Sequence, residues 1–289
     1  MFILPLNNYH TCIFFMKKIL LLVAVIWLIY SFQPKEISWV AIGDSITYLN
    51  EHTNETGNRV TKGYMTRVIQ KLPNIRYNNH GHNGWTAIRI AADIEKLGLF
   101  KADVYSIFLG TNDWWSGKPL GRFSDYENNT GNATVYGAFR TIINKLRSLN
   151  DHAKIILITP MQRTDFVYIA NFKNNAYGSY KEKNGQLLQQ FADAVKIIGE
   201  KEHFAVIDLY HNNAMTLKQL VKYKRLKDPQ TGMYQNYAYP KYLGIPFNPE
   251  TDEYPYPVDA IGVTYDGLHP SDKGYAIISD MLVNILKKY

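Results

Sequence analysis

The chain has 289 residues, a formal charge of +7 from 32 Lys and Arg against 25 Asp and Glu, and an ordinary globular hydrophobic fraction of 46%. Its single cysteine, Cys12, lies near the amino terminus, which excludes a disulfide framework, a thiolate nucleophile and a cysteine-based metal site from the body of the protein. The basic residues are scattered rather than clustered, so the charge speaks for solubility and not for nucleic-acid binding.

The chain opens on a leader. Read from Met16, an alternative start, Lys17 and Lys18 precede an almost unbroken apolar run from Ile19 to Tyr30, and polar character returns at Gln33. A short basic segment followed by about a dozen apolar residues is the pattern of a secretory signal. No Ala-x-Ala site is present, so residues 1–33 read as a signal peptide or as an uncleaved signal anchor holding the chain to a membrane through residues 17–33. Either reading exports the protein to the periplasm, the cell surface or the medium.

From residue 34 to 289 strand-like and helix-like stretches alternate. The first strand is Ser38 to Ile42, ended by Gly43-Asp44-Ser45. A helix over Gly63 to Leu72 is closed by Pro73, and a short strand, Ile75 to Tyr77, leads to the loop Asn78-Asn79-His80-Gly81-His82-Asn83-Gly84. Thr86 is placed to cap a helix running to about Leu97. A third strand, Asp103 to Leu109, meets Gly110-Thr111-Asn112-Asp113, and a long Gly-, Ser- and Asn-containing loop runs from Trp114 to Asn132. Helical periodicity over Val135 to Leu149, a strand from Lys154 to Thr159 stopped by Pro160, an amphipathic helix over Lys181 to Glu200 and a strand from Phe204 to Leu209 follow. Residues 224–264 differ in character: Pro229, Pro240, Pro246, Pro249, Pro255 and Pro257 and many tyrosines, with little periodicity, read as an irregular insertion of functional kind. Its tyrosines are candidates to line a groove for a polar, ring-shaped ligand. Asp266-Gly267-Leu268-His269-Pro270 then precedes a last helix, Lys273 to Leu286, with Ser271 as its N-cap. Such alternation, without a repeat or a linker, implies one three-layer α/β/α domain built on a parallel sheet.

A serine hydroxyl is a poor nucleophile until a base takes its proton, and the base needs a group to fix its tautomer. Ser45 stands at the carboxyl end of the first strand, where open α/β sheets bind ligands. His269, with Asp266 three residues ahead on a tight loop, supplies the base and the acid that orients it. Donors for an oxyanion are the backbone N–H of Ser45, the backbone N–H of Gly84 and the side-chain amide of Asn112, each just after a strand. His80 and His82 lack a third ligand at useful spacing, so no metal is expected. Trp114 and Trp115 are placed to stack on a sugar ring or hold an acyl chain, and Arg163 to bind a polar substrate or pair with an acid. Asp113 reads as structural.

The four blocks Gly43-Asp44-Ser45-Ile46-Thr47, Asn79-His80-Gly81-His82-Asn83-Gly84, Gly110-Thr111-Asn112-Asp113 and Asp266-Gly267-Leu268-His269-Pro270 together resemble the SGNH (GDSL-type) hydrolases. The resemblance spans nearly the whole body of the chain and implies a flavodoxin-like α/β/α sandwich with about five parallel strands. It implies Ser45 as nucleophile, His269 as base, Asp266 as orienting acid, and Ser45, Gly84 and Asn112 as the oxyanion hole. Gly81 is an alternative to Gly84. Thr47 stands where a G-x-S-x-G elbow would place its last glycine, which argues against an α/β-hydrolase. The expectation is an exported serine esterase acting through an acyl-enzyme on O-acetyl or other short acyl esters of carbohydrate, with no cofactor. A lipase or short-chain esterase on lipid esters and an O-acyltransferase using the same site are the alternatives, and a glycan-binding protein without turnover is the least favoured.

Overall fold

Five strands form the central sheet: β1 (Ile37–Gly43), β2 (Ile75–Gly81), β3 (Val104–Phe108), β4 (Lys154–Ile158) and β7 (Ala205–Ile207). They lie in the order β2-β1-β3-β4-β7 with every pairing parallel. The structure is a computed structural model that describes residue 14, residues 16–20 and residues 35–289. Residues 14 and 16–20 are helical, and the rest of the expected leader, including most of its apolar run, lies outside the described residues. Among the described residues no helix is long and apolar enough to cross a membrane. Ile37–Tyr289 forms one compact unit.

The sheet is covered on both faces because its central strands β1, β3 and β4 are largely apolar on both faces, as parallel strands must be when helices cross over each side. The two-residue period of a strand sorts the side chains. Val40 and Ile42 of β1, Tyr105 and Ile107 of β3, and Ile155 and Leu157 of β4 enter one core, with Ile90, Phe139, Ile142, Phe191 and Val195 from helices Ala87–Ala92, Val135–Leu149 and Leu188–Glu202. Trp39 and Ala41, Val104 and Phe108, and Ile156 and Ile158 enter the other, with Met65, Val68, Ile278 and Leu282 from helices Tyr64–Lys71 and Asp272–Leu286. The expected sandwich is therefore the observed one. The strand order reverses direction between β1 and β3, the crevice where doubly wound sheets of this order hold ligands.

Several expected elements differ. The helix expected from Lys181 begins at Leu188. Gln186 is the reason: its amide accepts from Leu120 N–H (2.8 Å) and donates to the Lys118 carbonyl (3.0 Å), and its own carbonyl accepts from Trp114 Nε1 (2.9 Å). Those bonds tie residues 181–187 to the 114–120 segment instead of to a helical ladder. The helix capped by Thr86 stops at Ala92 rather than near Leu97. The loop expected over 114–132 holds the end of helix Thr111–Trp115 and all of helix Phe123–Glu127, each too short to leave a periodicity.

Two antiparallel hairpins fall where no strands are expected, β5 (Phe166–Tyr168) with β6 (Asn171–Ala176), and β8 (Lys224–Lys227) with β9 (Tyr234–Tyr237). The second makes the 224–264 segment partly regular. Its tyrosines do not line a groove: Tyr242 and Tyr256 are fully buried in a small core with Val167, Val221 and Leu226. That core backs onto the 164–168 segment. Tyr242 accepts from Thr164 Oγ1 (2.7 Å), Tyr256 donates to the Asp165 carbonyl, Lys224 Nζ pairs with the Asp165 carboxylate (2.7 Å), and Tyr254 donates to the Val167 carbonyl (3.0 Å).

Candidate active site

The site begins with the way β1 ends. A Cβ on Gly43 would lie 2.0 Å from Thr47 Oγ1, so glycine lets the chain fold straight back over the strand end. Asp44 then caps the short helix Ser45–Tyr48, its Oδ1 accepting from Ile46 N–H (3.0 Å). Tyr64 OH against Thr47 Oγ1 (3.0 Å) and Tyr275 OH on the Ile46 carbonyl (3.0 Å) pin that turn from two helices of the neighbouring layer. Ser45 is thus held at a helix start on the sheet's carboxyl edge. Burial pushes the Asp44 carboxyl up to about 6, against the pull of Ile46 N–H and the neighbourhood of His269.

His269 is brought to Ser45 by a loop built around one carboxylate. Asp266 is fully buried, and its Oδ1 accepts from Leu268 N–H (3.0 Å) and His269 N–H (2.7 Å). Its Oδ2 faces His269 Nδ1 at 2.7 Å, and His269 Nε2 faces Ser45 Oγ at 2.8 Å. An imidazole that donates from Nδ1 to a carboxylate presents an unprotonated Nε2 to the hydroxyl. Gly267 adopts φ +91°, and a Cβ there would meet the Asp165 carbonyl at 2.1 Å, so the tight loop needs glycine. Phe166 packs edge-on against the imidazole (5.4 Å between centroids), and Tyr265 stacks beside it at 5.9 Å.

Gly84 and Asn112 reach the same cleft from β2 and β3. Gly84 has φ +71° and open space where a Cβ would project. Its N–H and that of Ser45 take no acceptor among the described residues. Asn112 Nδ2 donates one hydrogen to the Trp85 carbonyl (3.0 Å), which orients the amide and leaves its second hydrogen for the cleft. Gly81, the alternative to Gly84, does a different job. Its N–H is taken by Asn79 Oδ1 (2.8 Å), and a Cβ would fall 2.1 Å from Tyr48 N, so it is the contact where β2 passes under the serine's helix. Asp113 accepts from Ala87 N–H (2.8 Å) and Ile88 N–H (3.3 Å), capping the helix that follows Gly84, and burial pushes it up to about 6.

The cleft has a volume of about 450 Å³. Ser45, Gly84, Asn112, Trp115, Arg163 and His269 line it, so most of the expected residues converge. Trp114 does not. It is fully buried, donates from Nε1 to the Gln186 carbonyl and packs edge-on to Tyr177, so it is core and not a ligand platform. Trp115 and Trp114 are consecutive on one helical turn, and only one of two adjacent side chains can face the cleft. No residue of 224–264 lines the cleft either; the outer wall is instead Phe166, Tyr168, Asn174 and Ala176 of the β5–β6 hairpin. Glu55, Asn83 and Ser116 also reach it. Sequence reasoning missed the hairpin residues, whose pattern Asn171-Phe172-Lys173-Asn174-Asn175 carries no alternation, and Glu55, which sat in a polar loop.

His80 and His82 are both pushed down, first by burial. His82 stacks on Trp85 at 4.2 Å, and Arg89 covers the same indole at 4.0 Å, a stack that stiffens the loop carrying Gly84. Among the described residues no group of three His, Cys, Asp or Glu side chains is placed to hold a metal ion.

The sequence profile of the GDSL-like lipase/acylhydrolase family matches residues 41–277, from the first strand into the last helix. The chain belongs to this family. A crystal structure of a possible lipase from Chitinophaga pinensis is 62% identical in sequence and superposes with a TM-score of 0.86, covering 88% of this chain and 98% of that one. An acetylxylan esterase from Geobacillus stearothermophilus (20% identical, TM-score 0.51, 86% of this chain and 94% of that one) shares the fold. So does a protein from Lactobacillus plantarum (19% identical, TM-score 0.58, 89% and 99%). No curated protein matches the chain in sequence. As a GDSL-like acylhydrolase, the protein is a serine hydrolase of ester bonds.

Proposed function

We propose that the protein is an exported esterase that removes O-acetyl or other short acyl groups from carbohydrate, with Ser45 as nucleophile, His269 as base and Asp266 as its orienting acid. The observation that carries the chemistry is the continuous line from Asp266 Oδ2 through His269 to Ser45 Oγ, with links of 2.7 and 2.8 Å. Ser45 Oγ attacks the ester carbonyl as its proton passes to His269 Nε2. Asp266 stabilises the imidazolium that forms. The carbonyl oxygen becomes an oxyanion facing the N–H groups of Ser45 and Gly84 and the amide of Asn112, none of which has to reorganise. His269 then protonates the departing alcohol, and water repeats the sequence on the acyl-enzyme.

The carbohydrate reading is supported by the cleft's lining. Glu55, Asn83, Ser116, Arg163 and Asn174 line the cleft together with Leu49, Trp115, Phe166 and Leu268, a mixed lining that suits a polar alcohol and a small acyl group better than a long acyl chain. The acetylxylan esterase that shares the fold acts on an ester of this kind. A lipid or simple short-chain ester is the second reading, favoured by the relative named as a possible lipase. An acyltransferase would use the same residues with a sugar hydroxyl replacing water.

The basic and apolar leader supports export. Its test is the location and amino terminus of the protein expressed with its own leader. The chemistry is tested by giving the protein without residues 1–33, beside its Ser45→Ala variant, 4-nitrophenyl acetate, acetylated sugars and long-chain lipid esters. Acetate release that requires Ser45 and is fastest on sugars is the expected result. Equal release by both proteins overturns the nucleophile assignment, and faster release from long-chain esters overturns the substrate.

A further inference from the structure

Arg163 is buried without a counter-ion among the described residues. It follows β4 on the same edge of the sheet as Ser45, is 1% exposed, and lines the cleft. Its guanidinium lies against two adjacent indoles, 5.1 Å from the Trp114 ring and 4.7 Å from the Trp115 ring. Nε (3.3 Å) and Nη2 (2.8 Å) both donate to one acceptor, the Tyr177 carbonyl. Nη1 donates to no described residue. Nor is it sealed away, since the buried side-chain atoms without a partner are Arg59 Nε, His82 Nε2 and Arg140 Nε.

The acids within electrostatic reach are already committed. Asp165 is held by Lys224 Nζ, Tyr180 OH and Gly178 N–H, and Asp266 by the His269 imidazole and two backbone N–H groups. Burial draws the guanidinium down to about 10, against the pull of Asp165 and Asp266, so it stays a cation at neutral pH. A buried charge costs several kcal/mol unless it is paired. Two aromatic faces and one carbonyl compensate only part of that cost. The residual attraction is aimed at whatever occupies the cleft.

We propose that Arg163 recognises a carboxylate on the alcohol portion of the substrate, so that the preferred ester is an acylated acidic sugar of the uronic acid type. This rests on the esterase reading above. A guanidinium N–H beside a desolvated cleft prefers a carboxylate to a hydroxyl, because the charge-assisted bond is about twice as strong as a neutral one. One free terminal nitrogen suits a monoanion. Glu55 in the same cleft, fixed by the Tyr48 hydroxyl (2.9 Å), repels any anion and a phosphate dianion about twice as strongly as a carboxylate, which favours the monoanion. Lys183, with Nζ 4.4 Å from the Trp115 ring, adds positive potential on the Arg163 side. Asn83, Asn174 and Ser116 remain to hold sugar hydroxyls.

The test compares O-acetylated methyl glucuronoside with O-acetylated methyl glucoside, which differ only in the carboxylate. The wild-type protein is expected to prefer the glucuronoside in kcat/KM by roughly 10- to 100-fold, the worth of one hydrogen bond to a charged group. Arg163→Gln is expected to erase that ratio through a higher KM for the glucuronoside, and Arg163→Lys to restore part of it. Equal wild-type rates on the two glycosides overturn the proposal, as does an Arg163→Gln protein that loses both equally. Should Arg163→Gln not fold, binding of free glucuronate against glucose to the Ser45→Ala protein, read by calorimetry, decides the same point; equal affinities overturn it. Release of 4-nitrophenol from the acetate that does not need Ser45 would instead overturn the esterase reading, and glucuronate binding would still be measurable.

Discussion

The inner and outer walls of the cleft are built in opposite ways. On the inner wall Ser45, Gly84, Asn112 and His269 each follow a strand or occupy a tight loop; bonds within a few residues shape the turns that carry Ser45 and His269, Asp44 on Ile46 N–H and Asp266 on Leu268 and His269 N–H, while the Trp85 carbonyl orients Asn112 and Tyr275 OH braces the Ser45 turn from farther along the chain. The outer wall, the β5–β6 hairpin, has little local support. It is held by Tyr254 on the Val167 carbonyl, Tyr256 on the Asp165 carbonyl and Lys224 on the Asp165 carboxylate, partners 59 to 91 residues away in sequence. The difference teaches that the turns carrying nucleophile and base are shaped mainly by their own residues, while the wall that shapes the substrate space depends on a distant segment. Damage to the first should appear in kcat, and damage to the second in KM and stability.

The sharpest break is Ser45→Ala. It should lower kcat on 4-nitrophenyl acetate by about 10⁴-fold or more while leaving thermal unfolding nearly unchanged, since the hydroxyl makes one bond at the cleft. Asn112→Ala should cost about 10²–10³-fold in kcat with little change in KM, measured on the same ester. An equal loss in KM would show that the amide binds the ground state and is not reserved for the oxyanion.

On the outer wall, Lys224→Met strands the Asp165 carboxylate and should destabilise the protein by about 3 kcal/mol in urea unfolding. Sugar-ester KM should rise with it while kcat stays close to wild type; a matching fall in kcat would erase the distinction between the walls. The adjacent indoles sharpen it further. Trp114→Phe empties core volume and leaves the Gln186 carbonyl without its donor, so it should cost about 1–3 kcal/mol of stability. Trp115→Phe should move KM more than stability. Reversed behaviour would place Trp114, not Trp115, at the substrate.

The smallest effect on activity is expected from two carboxyls whose titration shows in stability. Asp44 and Asp113 are raised by burial from 3.8 to about 6. The folded protein therefore holds their protons more tightly than the unfolded chain. Their contribution is complete below the unfolded value near 3.8 and is lost as pH rises through about 6. A loss on the order of 2 kcal/mol from each of the two, about 4 together, is expected between about pH 4 and 6. In Asp113→Asn urea unfolding should vary less over that range; an unchanged slope would assign it to other groups.

The sheet was legible because Trp39 to Ile42, Val104 to Phe108 and Lys154 to Ile158 are apolar on both faces and bounded by Gly or Pro, signals written within five to seven residues. The inner wall was legible for another reason: the four short blocks that hold Ser45, Gly84, Asn112, Asp266 and His269 together resemble one hydrolase family, where each block alone says little. The hairpins were not, since Lys224–Lys227 and Asn171–Ala176 are short and rich in charged or amide side chains, and pairing alone makes them strands. Gly84 and Gly81 could be told apart only by what lies beyond their Cα atoms: open space in one case and the backbone of Tyr48 in the other.

The sequence by itself determined the parallel sandwich, because apolar periodicity acts over short stretches of chain, and its four blocks singled out Ser45, Asp266 and His269 as candidates for one site. Only the tertiary structure decided that Trp114 is core while Trp115 faces the cleft, that residues 224–264 brace the outer wall without touching the substrate space, and that Arg163 is left facing that space without a counter-ion among the described residues. Those outcomes depend on which of many distant partners a side chain meets, and burial and charge pairing between remote segments leave no local pattern to read.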